Sequence, residues 1–332
     1  MSDSSRSRVA VVTGGTAGVG RATVQELAAR GFDVAILARG RAGLDGSAGD
    51  VAAHGRRALP VVCDVADPEA VEAAAAEVER ELGEIDVWVN NAFVGALAFF
   101  WDTSPQEFRT ITETTYMGQV HGTRAALRRM RPRGRGVIIN VCSAMSYRSI
   151  PLQSAYCGAK HAVKGFTEGV RTELAHERSA VRICMVQLPG LNTPQFDWNL
   201  NRMPEHPRPV APVFSPELPA RAIAFLAEHP RRNMWVGIST AYTILGERLA
   251  PCLAEIYLAR TGVGGQQISG DLPRYGENLD QPRDEDADRG AHGPFGDEEI
   301  SVDPVSWLSM HRGAVLAGAA GVAAGALAVL RG

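Results

Sequence analysis

The chain has 332 residues, 45% of them hydrophobic and 21% charged, with a formal net charge of −3. That is enough for one large α/β domain with residues to spare, and without a basic stripe carrying interleaved aromatics it excludes nucleic acid as an expected partner. Five cysteines without C-x-x-C spacing and eight histidines without a ligand pattern imply neither a disulfide framework nor a metal.

Met1 to Ser7 is polar and lacks an apolar core segment, so no secretory signal is expected and the chain reads as cytoplasmic. Arg8 to Val12 is a short apolar run of the kind that forms a buried parallel strand. Thr13-Gly14-Gly15-Thr16-Ala17-Gly18-Val19-Gly20 follows, and Arg21 to Arg30 then has helical spacing. Strand, glycine turn and helix together suggest a phosphate site: glycines let the backbone approach a pyrophosphate, and the helix N-terminus offers unpaired N–H donors. A second strand, Asp33 to Leu37, ends at Ala38-Arg39 with no acid to take a ribose 2′-hydroxyl. Arg39 there favours a 2′-phosphate, hence NADP(H), with NAD(H) as the alternative; Arg41 reads as an ordinary solvated arginine.

Val61 to Val65 forms a third apolar run. Its Asp64 suits either the adenine amino group or a cap on the helix that Asp67-Pro68-Glu69 announces. Ile85 to Val89 is a fourth strand running into Asn90-Asn91-Ala92, where asparagines suit ribose contacts or backbone pinning. After the strand Val137 to Val141 comes Ser143. Tyr156 and Lys160 then lie one helical turn apart on a common face. A lysine beside a phenol favours the phenolate and pulls the tyrosine below its usual value of about 10, which suits proton exchange with a substrate oxygen near neutral pH. Ser143 would hydrogen-bond the same oxygen. Alternating strands and helices predict a Rossmann-type, doubly wound parallel sheet.

These motifs, in this order and spacing, resemble the short-chain dehydrogenase/reductase family over roughly residues 8 to 240. The resemblance implies Tyr156 as general acid or base, Ser143 as the group that orients the carbonyl, and Lys160 as a ribose ligand that tunes the tyrosine. It places the cofactor against Gly14, Thr16, Gly18, Val19, Gly20, Arg39, Asp64, Val65, Asn90, Ala92, Tyr156, Lys160, Pro189, Gly190 and Thr193. Thr115 stands where the family usually has an asparagine of a water-mediated proton relay, and its hydroxyl is read as a candidate holder of that water. Phe93, Phe196 and Trp198 are candidate substrate contacts. Leu200 and Met203 would extend the lid, and Phe99, Phe100 and Trp101 an apolar wall. The resemblance also implies a homodimer or homotetramer, paired through the helix from about Pro105 to Met130.

A final strand, Met234 to Ile238, and a helix, Tyr242 to Arg260, complete the expected catalytic domain, residues 8–262, behind a disordered N-terminus, residues 1–7. Between Asp271 and Asp303 there are eleven acidic and three basic residues, a charge of −8 against +5 for the rest of the chain. This predicts a flexible acidic linker, residues 263–305. Residues 306–332 then read as a hydrophobic helix. Its uncharged stretch 313–330 would span about 27 Å if helical, a candidate membrane anchor with Trp307 and Arg312 at the interface.

The sequence thus points to an NADP(H)-dependent oxidoreductase that interconverts a carbonyl and a secondary alcohol on a small apolar substrate. The alternatives are a noncatalytic NADP(H)-binding sensor or scaffold, and an NAD-dependent alcohol dehydrogenase of the same family.

Overall fold

The computed structural model describes residues 6–313. The first half alternates strand and helix: β1 Arg8–Thr13, α1 Gly18–Ala29, β2 Phe32–Ala38, α2 Arg41–Ala53, β3 Ala58–Val62, α3 Pro68–Glu81 and β4 Ile85–Asn90. A two-residue strand β5, Ala96–Leu97, precedes α4 Pro105–Thr112, α5 Gly118–Arg133, β6 Val137–Ser143, α6 Ser154–His176 and β7 Arg182–Leu188. Then come α7 Gln195–Trp198, β8 Leu200–Asn201, β9 His206–Pro207, α8 Glu217–Glu228, β10 Asn233–Trp235, α9 Ile238–Leu249, α10 Pro251–Thr261, β11 Gln267–Ile268 and α11 Pro304–Met310.

Seven strands form one parallel sheet in the order β10-β7-β6-β4-β1-β2-β3. Val9 to Val12 of β1 are wholly buried because helices cover both faces. One apolar cluster includes Val12, Val24, Ile36, Val186 and Phe214; the other includes Val11, Leu37, Val71, Trp88 and Ile138. The strand order reverses between β1 and β4, which opens a crevice at the carboxyl ends of those strands.

Local chemistry explains the element ends. Asp67 accepts from Glu69 N and Ala70 N and Pro68 takes the first helical position, so α3 starts there. Ser104 and Glu107 form a capping box for α4. The helix expected from Pro105 to Met130 is interrupted by a π-turn, Glu113–Met117, of the kind that marks functional sites. Strand β3 lies earlier than the expected 61–65. Cys63 N still donates to Ala38 O at 2.8 Å, but Asp64 and Val65 then leave the sheet for the crevice. The last strand stops at Trp235 because Gly237, at φ +81°, turns the chain into α9. The helix expected over 242–260 is two helices, broken before Pro251, whose ring cannot donate to the preceding turn.

The acidic stretch expected to be a flexible linker lies against the domain as a strap. β11 pairs antiparallel with β9. Tyr275 N donates to Asp197 O, Asn278 N to Trp198 O, and Gly18 N to Gly290 O. Leu279, Ala291 and Phe295 are buried. Arg21, itself buried, holds Asp288 at 3.0 Å and Asp50 at 2.5 Å. Burial pulls the Arg21 pKa down, yet these two acids more than reverse that and hold it above its ordinary value. The strap ends at Asp303, which caps α11 and also accepts from Ile238 N. The hydrophobic segment expected at 306–332 therefore begins inside a docked seven-residue helix, and its apolar stretch from residue 314 onward lies outside the described residues. No helix among the described residues is long and apolar enough to cross a membrane.

Candidate active site

The crevice is lined from three directions. Gly14, Thr16, Gly18 and Val19 come from the turn after β1, and Gly14 and Gly18 have positive φ, +63° and +53°. A Cβ on Gly14 would stand 2.8 Å from the Ala92 Cα, so only glycine lets the two backbones approach. Helix α1 opens without a side-chain cap; Gly18 N is taken by Gly290 O of the strap, and the N–H groups that follow have no cap. These features fit a dinucleotide pyrophosphate. Gly20 does not reach the crevice. A Cβ there would overlap Gly14 O, so its role is to let α1 pack on the turn after β1.

Asp64 and Val65 line the crevice, and Asp64 Oδ1 accepts from Ala66 N at 2.9 Å, so helix capping falls to Asp67. The two asparagines after β4 divide the roles left open by the sequence. Asn90 is wholly buried and bonds Trp88, Thr123 and Asn140, away from the crevice, which corrects its expected cofactor contact. Asn91 lines the crevice and pins the glycine turn through Gly14 O at 3.0 Å. Ala92 lies beside it, with its N–H on Thr13 Oγ1 at 3.1 Å.

Ser143 ends β6, and its hydroxyl accepts from Met145 N at 3.2 Å. Tyr156 and Lys160 sit on the first two turns of α6 and meet Ser143 in the crevice wall. Lys160 Nζ donates to Val141 O at 2.8 Å and lies 5.6 Å from the Tyr156 ring centre. Phe93 packs edge-on against the tyrosine, ring centres 5.7 Å apart. Burial lowers the Lys160 pKa to about 8. Burial also pushes Tyr156 up, against a smaller downward pull from Ser143. The expected lowering of the phenol by Lys160 does not appear among the influences on it, desolvation dominates, and Tyr156 is a protonated donor at neutral pH.

Thr115 is wholly buried in the π-turn. Its hydroxyl donates to Val94 O at 2.9 Å and accepts from Val94 N at 3.1 Å. Its donor and one of its two acceptor sites are thus spent on Val94, and it does not line the crevice, so the expected role as holder of a relay water lacks support; its neighbour Thr114 lines the crevice. On the third side stand Pro189, Gly190 and Thr193 after β7, with Phe196 and Trp198 from α7. Phe100 and Trp101 instead project into solvent and form no wall of the crevice.

Arg39 lines the crevice, but its guanidinium faces the strap. It donates to Asn278 O at 2.6 Å and Leu279 O at 3.1 Å. Asn278, Arg283 and Asp284 of the strap complete this end of the crevice. The sequence reading missed them, although a signal was present. Gly40, Gly43 and Gly46 recur every third residue at the start of α2, where each interior glycine costs about 1 kcal/mol relative to alanine. A Cβ on the first two would overlap the Asp284 carboxylate, and one on the third that of Asp288. The stripe is the groove that receives the strap. Among the described residues, Glu217, His292 and Glu299 come close enough together to hold an ion, but the histidine already pairs with both acids and the group lies outside the crevice.

The short chain dehydrogenase family model matches residues 8–203. The chain belongs to the short-chain dehydrogenase family. The uncharacterized oxidoreductase YxnA of Bacillus subtilis is 31% identical over 286 residues, 85% of this chain and 78% of that protein. A short-chain dehydrogenase structure from Streptomyces avermitilis superposes with a TM-score of 0.65 at 29% identity, covering 76% of this chain and 96% of that one. The alcohol dehydrogenase of Thermococcus sibiricus complexed with 5-hydroxy-NADP gives 0.59 at 25%, covering 69% and 95%. The protein is an NAD(P)-dependent oxidoreductase with a Rossmann-type sheet.

Proposed function

We propose that the chain reduces a carbonyl to a secondary alcohol, and runs the reverse oxidation, on a small apolar substrate. The observation that carries this is the meeting of Ser143, Tyr156 and Lys160 in one wall of the dinucleotide crevice. A bound nicotinamide supplies or accepts the hydride. Ser143 orients the carbonyl oxygen, and Tyr156, protonated at neutral pH, donates its proton to that oxygen as negative charge develops. Lys160, held on Val141 O and charged below about pH 8, stabilises the tyrosinate that results. Phe93, Phe196 and Trp198 give the opposite walls an apolar face, which supports a hydrophobic substrate over a sugar.

The noncatalytic alternative rested on Thr115. Its hydroxyl fastens the π-turn to Val94 and leaves the three reactive residues assembled, which supports catalysis. Arg39 supports NADP(H) only when its guanidinium leaves the strap carbonyls. The test is oxidation of NADPH and NADH against a panel of apolar ketones and aldehydes, with Tyr156→Phe alongside. Turnover that falls roughly 10²- to 10⁴-fold in the variant is expected; undiminished turnover would refute the assigned role.

A further inference from the structure

In a doubly wound sheet, the ribose of the adenosine half binds at the end of the second strand, where an acid takes the 2′-hydroxyl of NAD and an arginine the 2′-phosphate of NADP. Here β2 ends at Ala38 with Arg39 next and no acid of its own. The strap supplies one. Asp284 lines the same end of the crevice as Leu37, Ala38 and Arg39, is only 7% exposed, and lies over the Cα atoms of Gly40 and Gly43. Its carboxylate has no hydrogen-bond or ion-pair partner among the described residues, so it faces the crevice as an open acceptor that a ligand hydroxyl could use.

Most of the donors a phosphate would need are already engaged. The first N–H groups of α2 go to the strap: Arg41 N to Glu285 Oε2, Ala42 N to Glu285 O and Gly43 N to Asp284 O, each at 3.0 Å. Arg39 faces the carbonyls of residues 278 and 279, Arg283 donates to Glu277 O at 2.6 Å, and Arg41 pairs with Glu285. A 2′-phosphate would meet the Asp284 carboxylate, an α2 N-terminus already bonded to the strap and an Arg39 held on strap carbonyls, with only the terminal nitrogens of Arg283 to offset them; a 2′-hydroxyl would find an open acceptor.

We propose that Asp284, carried on the C-terminal strap, is the cofactor-specificity residue of this chain and makes it prefer NAD(H) to NADP(H). The assignment rests on the dinucleotide-binding reading of the crevice. Its logic is that an acid missing from the end of β2 is restored from about 245 residues later in the chain, and that the glycine stripe of α2 exists to admit it.

The test is binding, not turnover. The full-length protein is titrated with NADH and with NADPH, by cofactor fluorescence and by calorimetry, as wild type and as Asp284→Ser. The expected result is at least tenfold tighter binding of NADH by the wild type, and a shift of the NADPH-to-NADH affinity ratio of tenfold or more toward NADPH in the variant. If both affinities rise together, the strap is a plug; if neither changes, Asp284 is inert; either outcome overturns the proposal, as does a wild-type preference for NADPH. Should the variant fail to fold, competition on the wild type between 5′-AMP and 2′,5′-ADP decides, with stronger competition by 5′-AMP expected and the reverse contradicting it. Selective NADH binding without carbonyl reduction would refute the proposed reaction and leave this assignment standing. Failure to bind either nucleotide would refute both.

Discussion

Lys160 shows how placement decides what a motif can do. One helical turn of spacing told that it would meet Tyr156, and the two do share the crevice wall. Which of them desolvation would affect more was not in the spacing, because burial depends on the whole wall around α6. The outcome is a lysine shifted to about 8 beside a phenol shifted upward, both by burial. The sign follows directly. Below about pH 8 the ammonium is charged and supports the tyrosinate formed on proton donation; above it that support is lost. In a pH profile of kcat/KM for carbonyl reduction, the free enzyme should therefore hold a plateau on the acid side and fall as pH rises through about 8. A rate that climbs through that range would contradict the assignment of Lys160. Asn90 and Thr115 were legible as residues near the site but not in their duties. Two asparagines in a row leave open which one faces the ligand, and the pleat of β4 decides it by turning Asn90 into the core.

At the scale of elements, the strands, the glycine turn and α6 were readable because each is a continuous pattern: buried apolar runs, helical spacing, glycines where a Cβ would collide. The strap was not, because its anchors are scattered. Averaged over 263–305 the composition is acidic and poor in apolar residues, and that average conceals Leu279 and Phe295, which are buried, and Asp288, which meets a buried arginine. A strap and a linker differ in accessibility. Limited proteolysis of the wild type should leave 271–303 intact while the domain is folded. Asp288→Ala removes one of the two acids on Arg21. It should cost roughly 1–2 kcal/mol, since the lost partner is partly exposed, and it should release cleavage within the strap before global unfolding. Rapid cleavage of the wild type in that stretch would restore the linker reading.

At the scale of the molecule, an apolar surface among the described residues stands apart from the crevice. Ile238, Tyr242, Leu245 and Leu249 follow one face of α9, and Leu253, Ile256 and Tyr257 continue it on α10; all are exposed, Leu249 to 83%. An apolar face of this kind marks an association surface, distinct from the α4–α5 region that the family resemblance nominates. The chain is expected to associate with itself through α9 and α10. Sedimentation should show the wild type above monomer mass and Leu253→Glu with Ile256→Glu at monomer mass. An unchanged assembly in that double variant would move the interface to α4–α5 or elsewhere.

The central claim is that Tyr156 gives a carbonyl oxygen its proton while a hydride arrives at the carbon. The most direct measurement is single-turnover transfer from deuterated NADH to an apolar ketone that the wild type accepts, followed by NMR of the product. The account predicts deuterium on the carbinol carbon with the wild type, and a rate lower by 10²-fold or more in Tyr156→Phe at unchanged cofactor affinity. Equal transfer in the variant, or cofactor binding by the wild type with no transfer to any ketone or aldehyde of the panel, would contradict it.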